Sequence, residues 1–144
     1  LVRQPLDYLL ALRGARLQSA AIIQRGRDAG TALGEHPAAA VRDLATRVTA
    51  LVAATPDDAT LTTVLGGATL LAYLPTRTFE LTVHTLDLVG ALGLDAPDVL
   101  AVPVAACLQL AAAAVASGSD AGAGAAVLLA LTGRGPLPPG FSIV

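Results

Sequence analysis

Apolar residues recur along this chain at intervals of three and four, the period of a helix with one buried side. Over residues 5–29 the recurrence is Leu6, Leu9, Leu10, Leu12, Leu17, Ala20 and Ala21, with Arg13, Arg16, Arg25 and Arg27 lining a polar side. It predicts a first helix stopped by Gly30 and Gly34. Pro37 suits the first turn of a second helix, where a missing N–H costs nothing. That helix carries Val41, Leu44, Val48 and Leu51 as one stripe and closes at Thr55-Pro56-Asp57-Asp58. Residues 60–65, Thr-Leu-Thr-Thr-Val-Leu, alternate and are β-branched, but a lone strand is not stable. They are expected to be a connector leading to Gly66-Gly67.

Residues 69–92 predict the third long helix, with Pro75 either bending it or marking its true start, and Gly93 stopping it. After a turn at Leu94-Asp95-Ala96-Pro97, residues 98–117 predict a nearly all-apolar fourth helix. The run Ser-Gly-Ser-Asp-Ala-Gly-Ala-Gly at 117–124 breaks it, a short helix follows over residues 123–132, and the tail from Arg134 is expected to be irregular. There is no internal repeat. Four or five helices with short links argue for an all-α bundle. Residues 1–95 are expected to form the bundle, and residues 96–144 to be C-terminal helices and tail packed on it.

Composition changes the expected core more than the fold. A chain of 144 residues is long enough to bury one, but the 54% hydrophobic fraction is mostly Ala, Leu and Val, aromatics are 3%, and Trp and Met are absent. Such a core depends on close approach of helices rather than on large rings. All 9 cationic residues are Arg, they are scattered, and the formal charge is −2, so nucleic acid has no electrostatic footprint here. The single cysteine, Cys107, cannot form an internal disulfide, and Arg3 and Asp7 interrupt any secretory signal in the opening stretch. A cytoplasmic location is expected. The absence of an initiator Met is expected to reflect processing, truncation or partial observation. Mean hydropathy is high at +0.67, and no charge occurs from Val99 to Ala116. Pro103, Gln109, the dominance of Ala and the lack of an aromatic or basic belt favour a buried helix there over a membrane span.

The chemistry-bearing stretch is Leu74 to Asp87. Arg77, Glu80, His84 and Asp87 follow at spacings of three, four and three, which places all four on one helix face. Glu and His four apart present a carboxylate oxygen and an imidazole nitrogen to one point, a usual way for helical bundles to hold a divalent ion. Asp87 would then accept the other His N–H, and Arg77 would pair with Glu80 or meet an anionic substrate. The plainer alternative is an ordinary polar pair on a solvated face. Two ligands do not complete a zinc site. The other histidine, His36 before Pro37, is the candidate third ligand, with an exposed cap residue as its alternative. Cys107 lies among Ala and Leu and reads as an inert core thiol.

The run Arg-Thr-Phe-Glu-Leu-Thr-Val-His-Thr-Leu-Asp-Leu-Val-Gly-Ala-Leu-Gly, from Arg77 to Gly93, resembles the signature of the mycothiol-dependent maleylpyruvate isomerase family. That family belongs to the DinB/YfiT-like superfamily of metal-binding four-helix bundles, typical of actinobacteria. The ending from Ala130 to Val144 is similar to that of many members' smaller C-terminal part, and Gly34 to Leu51 suits the helix before the signature. The resemblance implies a DinB/YfiT-like helical bundle with a small C-terminal helical extension. It implies a divalent ion, usually zinc, on Glu80 and His84. The family's third ligand is a His in a stretch resembling Trp-x-Val-x-Asp-x-x-x-His, which this sequence lacks. Loose alignment puts Tyr8 at that position, and the alternative is that this helix and its His lie upstream of Leu1.

In active members the metal lowers the pKa of a bound thiol, mycothiol, which adds to an electrophilic substrate such as the cis double bond of maleylpyruvate. Rotation and loss of the thiol complete an isomerisation. Arg134 resembles a basic C-terminal residue that holds an acidic substrate or the thiol, and on its residues alone reads equally as a loop Arg beside a helix end. The leading expectation is therefore a metal-dependent, thiol-using isomerase or S-transferase acting on a small molecule, with neither nucleic acid nor membrane as partner. The second is a non-catalytic helical binding module with a degraded metal site. The third is a self-associating bundle, a homodimer at its simplest.

Overall fold

A computed structural model describes residues 1–14, 19–118 and 121–143. In chain order the elements are α1 (Pro5–Gly14), α2 (Ser19–Ala32), α3 (Pro37–Ala54), β1 (Thr60–Thr63), β2 (Gly66–Thr69), α4 (Leu70–Ala91), a 3-10 turn (Asp98–Leu100), α5 (Ala101–Ser117) and α6 (Ala121–Leu131). They fall into two compact units. One is Leu1–Gly14 with Thr60–Val144; the other, Ala15–Ala59, contains α2 and α3. The continuity expected over residues 5–29, with Arg16 and Leu17, lies at 15–18, outside the described residues. Gly30 does not stop α2, which continues to Ala32; the left-handed backbone is at Gly34, φ +69°. Helix α3 starts at Pro37 as the sequence predicts, with His36 in the N-cap position.

Residues 60–65 are not a connector. Residues Thr60–Thr63 pair antiparallel with Gly66–Thr69, in the register Thr60 to Thr69 and Thr63 to Gly66. The partner strand escapes sequence reading because Gly-Gly-Ala-Thr has poor strand propensity. The turn escapes it too, since Val64 and Leu65 keep negative φ and the positive φ, +98°, falls on Gly66 just after them. Thr63 ties the loop, its Oγ1 donating to the Gly66 carbonyl at 2.8 Å and accepting from Leu65 N–H at 3.1 Å. Val2 adds a parallel bridge to Ala68, donating to Gly67 O (2.8 Å) and accepting from Thr69 N–H (3.1 Å). The N-terminus is thus fastened to the strand that leads into α4.

Helix α4 begins at a Thr69 N-cap whose side chain accepts from Ala72 N–H at 3.3 Å. Pro75 lies inside the helix and does not mark its start. The backbone bond it removes belongs to the carbonyl of Leu71, an exposed residue. Leu70, Ala72, Thr76, Phe79 and Thr82 form its buried face, and α1 and α5 pack on α4. The two buried hydroxyls turn back onto the helix, Thr76 Oγ1 to Tyr73 O (2.6 Å) and Thr82 Oγ1 to Thr78 O (2.7 Å), so the core carries no orphaned side-chain polar atom among the described residues. Tyr8 and Leu9 of α1 and Cys107 and Ala114 of α5 complete it.

The expectation that residues 98–117 are a buried helix holds for one side of α5 only. Cys107 and Ala114 are buried while Val102 and Leu108 are exposed. By length and composition alone, Asp98–Ser117 is long and apolar enough to cross a membrane. Both α4 and α6 end in the same backbone device. Gly93 (φ +64°) and Gly133 (φ +69°) take the left-handed conformation. Leu94 N–H then reaches Val89 O (3.0 Å), and Arg134 N–H reaches Leu129 O (2.8 Å).

Candidate functional site

The outward polar face of α4 carries Tyr73, Arg77, Glu80, His84 and Asp87 in steps of four, three, four and three. Helical geometry alone aligns these positions; the adjoining face is buried through Thr76, Phe79 and Thr82. His84 stands between two carboxylates, with Nε2 at 3.5 Å from Glu80 Oε2 and Nδ1 at 3.3 Å from Asp87 Oδ2. The His84 side chain is 71% exposed and that of Glu80 35%. In water such a cluster is a weak, screened pair. Its geometry is nonetheless specific, since each ring nitrogen has its own carboxylate.

That arrangement suits two adjacent metal ligands. Donors bound about 2.0–2.1 Å from one tetrahedral zinc lie roughly 3.3 Å apart, close to the 3.5 Å between Glu80 Oε2 and His84 Nε2. A cation there uses the Nε2 lone pair, so the ring proton sits on Nδ1, where Asp87 accepts it. The fit stops at two ligands: no group of three His, Cys, Asp or Glu side chains able to hold a metal occurs among the described residues.

The other sequence candidates are placed differently. Arg77 is half-buried and makes no ion pair with Glu80 among the described residues. Its guanidinium lies over the rings of Tyr73, at 4.7 Å from the centroid, and Tyr8, at 5.7 Å, and its Nε donates to Thr76 Oγ1 at 3.2 Å. The two rings meet edge to face, 5.6 Å between centroids. Tyr8 is buried, its ring against Tyr73 and near the Arg77 guanidinium. His36 is exposed at the N-cap of α3, with no side-chain capping bond, and belongs to the unit of α2 and α3. Arg134 is exposed just past the α6 cap, its Nη1 reaching Thr132 O at 3.5 Å. Sequence reading missed Tyr73, which was open to it, four residues before Arg77 on the same face. It named Tyr8 only at the ligand position; its place beside Arg77 was not open to it, because only packing of α1 on α4 brings it there.

A family model described as the mycothiol maleylpyruvate isomerase N-terminal domain matches residues 3–89. The match runs from ahead of α1 to the end of the polar ladder on α4 and includes Arg77, Glu80, His84 and Asp87. Comparison with curated proteins and with solved structures gave no match.

Proposed function

The chain belongs to the mycothiol maleylpyruvate isomerase N-terminal domain family, and from that premise we propose that it is a divalent-metal-dependent, thiol-using isomerase or S-transferase of a small electrophilic substrate. The single observation that carries the reading is the 3.5 Å separation of Glu80 Oε2 and His84 Nε2 on one helix face, which suits two ligands of one ion. When bound, a divalent ion, zinc foremost, supplies the Lewis acidity that keeps a low-molecular-weight thiol of the mycothiol type as thiolate at neutral pH. The chain's own contribution is positional. With a cation on Nε2, Asp87, 3.3 Å from Nδ1, would hold the Nδ1 proton of His84 and orient its ring. Arg134, exposed beyond α6, is proposed to meet an acidic group of substrate or thiol. The reaction is proposed to run in the cytoplasm.

A second reading has its own support. With no third ligating side chain grouped with the pair among the described residues, a family domain that keeps the fold and has lost tight metal binding is the alternative: a non-catalytic binding module. Metal content separates the two. The protein is loaded with zinc, freed of loose metal on a desalting column and assayed by inductively coupled plasma spectrometry beside Glu80→Ala and His84→Ala. One zinc per chain in the parent and less than about a tenth of that in either variant supports the enzyme reading, because loss of one of few ligands leaves an incomplete sphere. Absence of retained zinc in the parent selects the binding module.

A further inference from the structure

Arg77 is the one cation on the polar ladder of α4, and the structure leaves most of it unused. Of its five N–H donors, only Nε has a partner, Thr76 Oγ1. Both terminal nitrogens lack a hydrogen-bond or ion-pair partner among the described residues, and so do the hydroxyls of Tyr8 and Tyr73, whose rings flank the guanidinium. A surface Arg serving only solubility has no need of two rings out of a total of two tyrosines and two phenylalanines. Such a frame restricts the guanidinium and lowers the entropy lost when it binds. Neighbouring carboxylates do not quench it, since Glu80 and Asp87 are both turned to His84. Arg77 precedes Glu80 by three residues, a rise of about 4.5 Å along the helix, so a small molecule reaching the Glu80–His84 pair is within reach of the fork.

We infer that Arg77, beside Tyr8 and Tyr73, is a binding subsite for a carboxylate, which it takes bidentately through its terminal nitrogens. The anion-binding claim stands on this cluster alone. Only the statement that the anion is one end of the substrate rests on the proposed function of Glu80 and His84.

The chain supplies its own probe. Its two tyrosines, with no tryptophan, are the two rings of the cluster, so intrinsic emission reports on this site without background. Metal-free protein is titrated with maleate, using sodium chloride at matched ionic strength as control, for the parent, Arg77→Lys, Arg77→Gln, and Glu80→Ala with His84→Ala. A saturable change is expected in the parent and, within about threefold in Kd, in the Glu80/His84 double variant. At least tenfold weaker binding is expected for both Arg77 variants, because lysine keeps the charge and loses the planar fork. Circular dichroism confirms that each variant is folded, and should Arg77→Gln fail to fold, Arg77→Lys carries the test. Binding lost in the double variant but kept in the Arg77 variants overturns the assignment. So does an equal response to chloride, or the absence of any saturable response while Arg77→Gln merely lowers Tm, which makes Arg77 a packing strut. Because the titration is metal-free, failure of the zinc assay leaves this result standing, and the reverse holds as well.

Discussion

At His84 the two ring nitrogens have different neighbours, Glu80 on Nε2 and Asp87 on Nδ1, and the difference is testable one residue at a time. Asp87→Asn keeps an oxygen that can accept the Nδ1 proton but removes the charge that makes the imidazole a better donor to a cation. Zinc affinity is expected to fall about tenfold with stoichiometry unchanged, read by competition against a chromophoric chelator. An unchanged affinity would mean that Asp87 is a bystander on a solvated face. The reach of sequence reading is visible at this scale. The steps of three, four and three among Arg77, Glu80, His84 and Asp87 place them on one face before any coordinates exist, because they are a property of the helix. What pairs with what is decided by tertiary packing. Spacing permitted Arg77 to face Glu80, yet α1 brings Tyr8 edge to face against Tyr73, and the guanidinium lies over the Tyr73 ring with Tyr8 near it.

Elements are governed by their ends. Gly93 and Gly90 lie three residues apart at the C-terminus of α4, and the same substitution has opposite signs at the two. Gly93 has φ +64° with open space around its Cβ direction, so Ala there meets no clash but must enter the left-handed region, at a cost of about 1 kcal/mol. Gly90 is within the helix with nothing within 4 Å of a built Cβ; Ala there removes unfolded-state freedom and stabilises by about 0.5–1 kcal/mol. Urea denaturation of the two variants measures both, and a shared sign would contradict the cap. Gly93 and Gly133 could be read as stops in the sequence because a helix end needs a left-handed residue and glycine supplies it. The β1–β2 hairpin could not be read. Its turn places the left-handed residue after Val64-Leu65 rather than within a two-residue Asn-Gly loop, so the signal that marks most short hairpins is absent.

For the whole molecule, burial is distributed unevenly, and this fixes an order of local stability. The unit of Leu1–Gly14 and Thr60–Val144 contains every buried residue described, from Tyr8 and Leu9 through Thr76 and Phe79 to Ala114. In the unit Ala15–Ala59 no described residue is buried, and the stripe Val41, Leu44, Val48 and Leu51 of α3 is exposed. Two helices of 14 and 18 residues are near the length at which isolated helices are marginal in water, so they depend on what apolar area they bury. Opening free energies are therefore expected to be lowest in α2 and α3 and to approach the global value over residues 72–82 of α4, whose amides lie behind the core face. Hydrogen exchange with mass spectrometry on the native protein reads this directly. Peptides from α2 and α3 are expected to exchange at least tenfold faster, after correction for intrinsic rates, than peptides from residues 72–82. Uniform protection would show that residues 15–59 open only with the rest. An inverted order would mean that the polar ladder of α4 stands on the least stable part of the chain, and neither a shared cation nor an oriented guanidinium could then be held within the few tenths of an ångström that ligation and bidentate binding require.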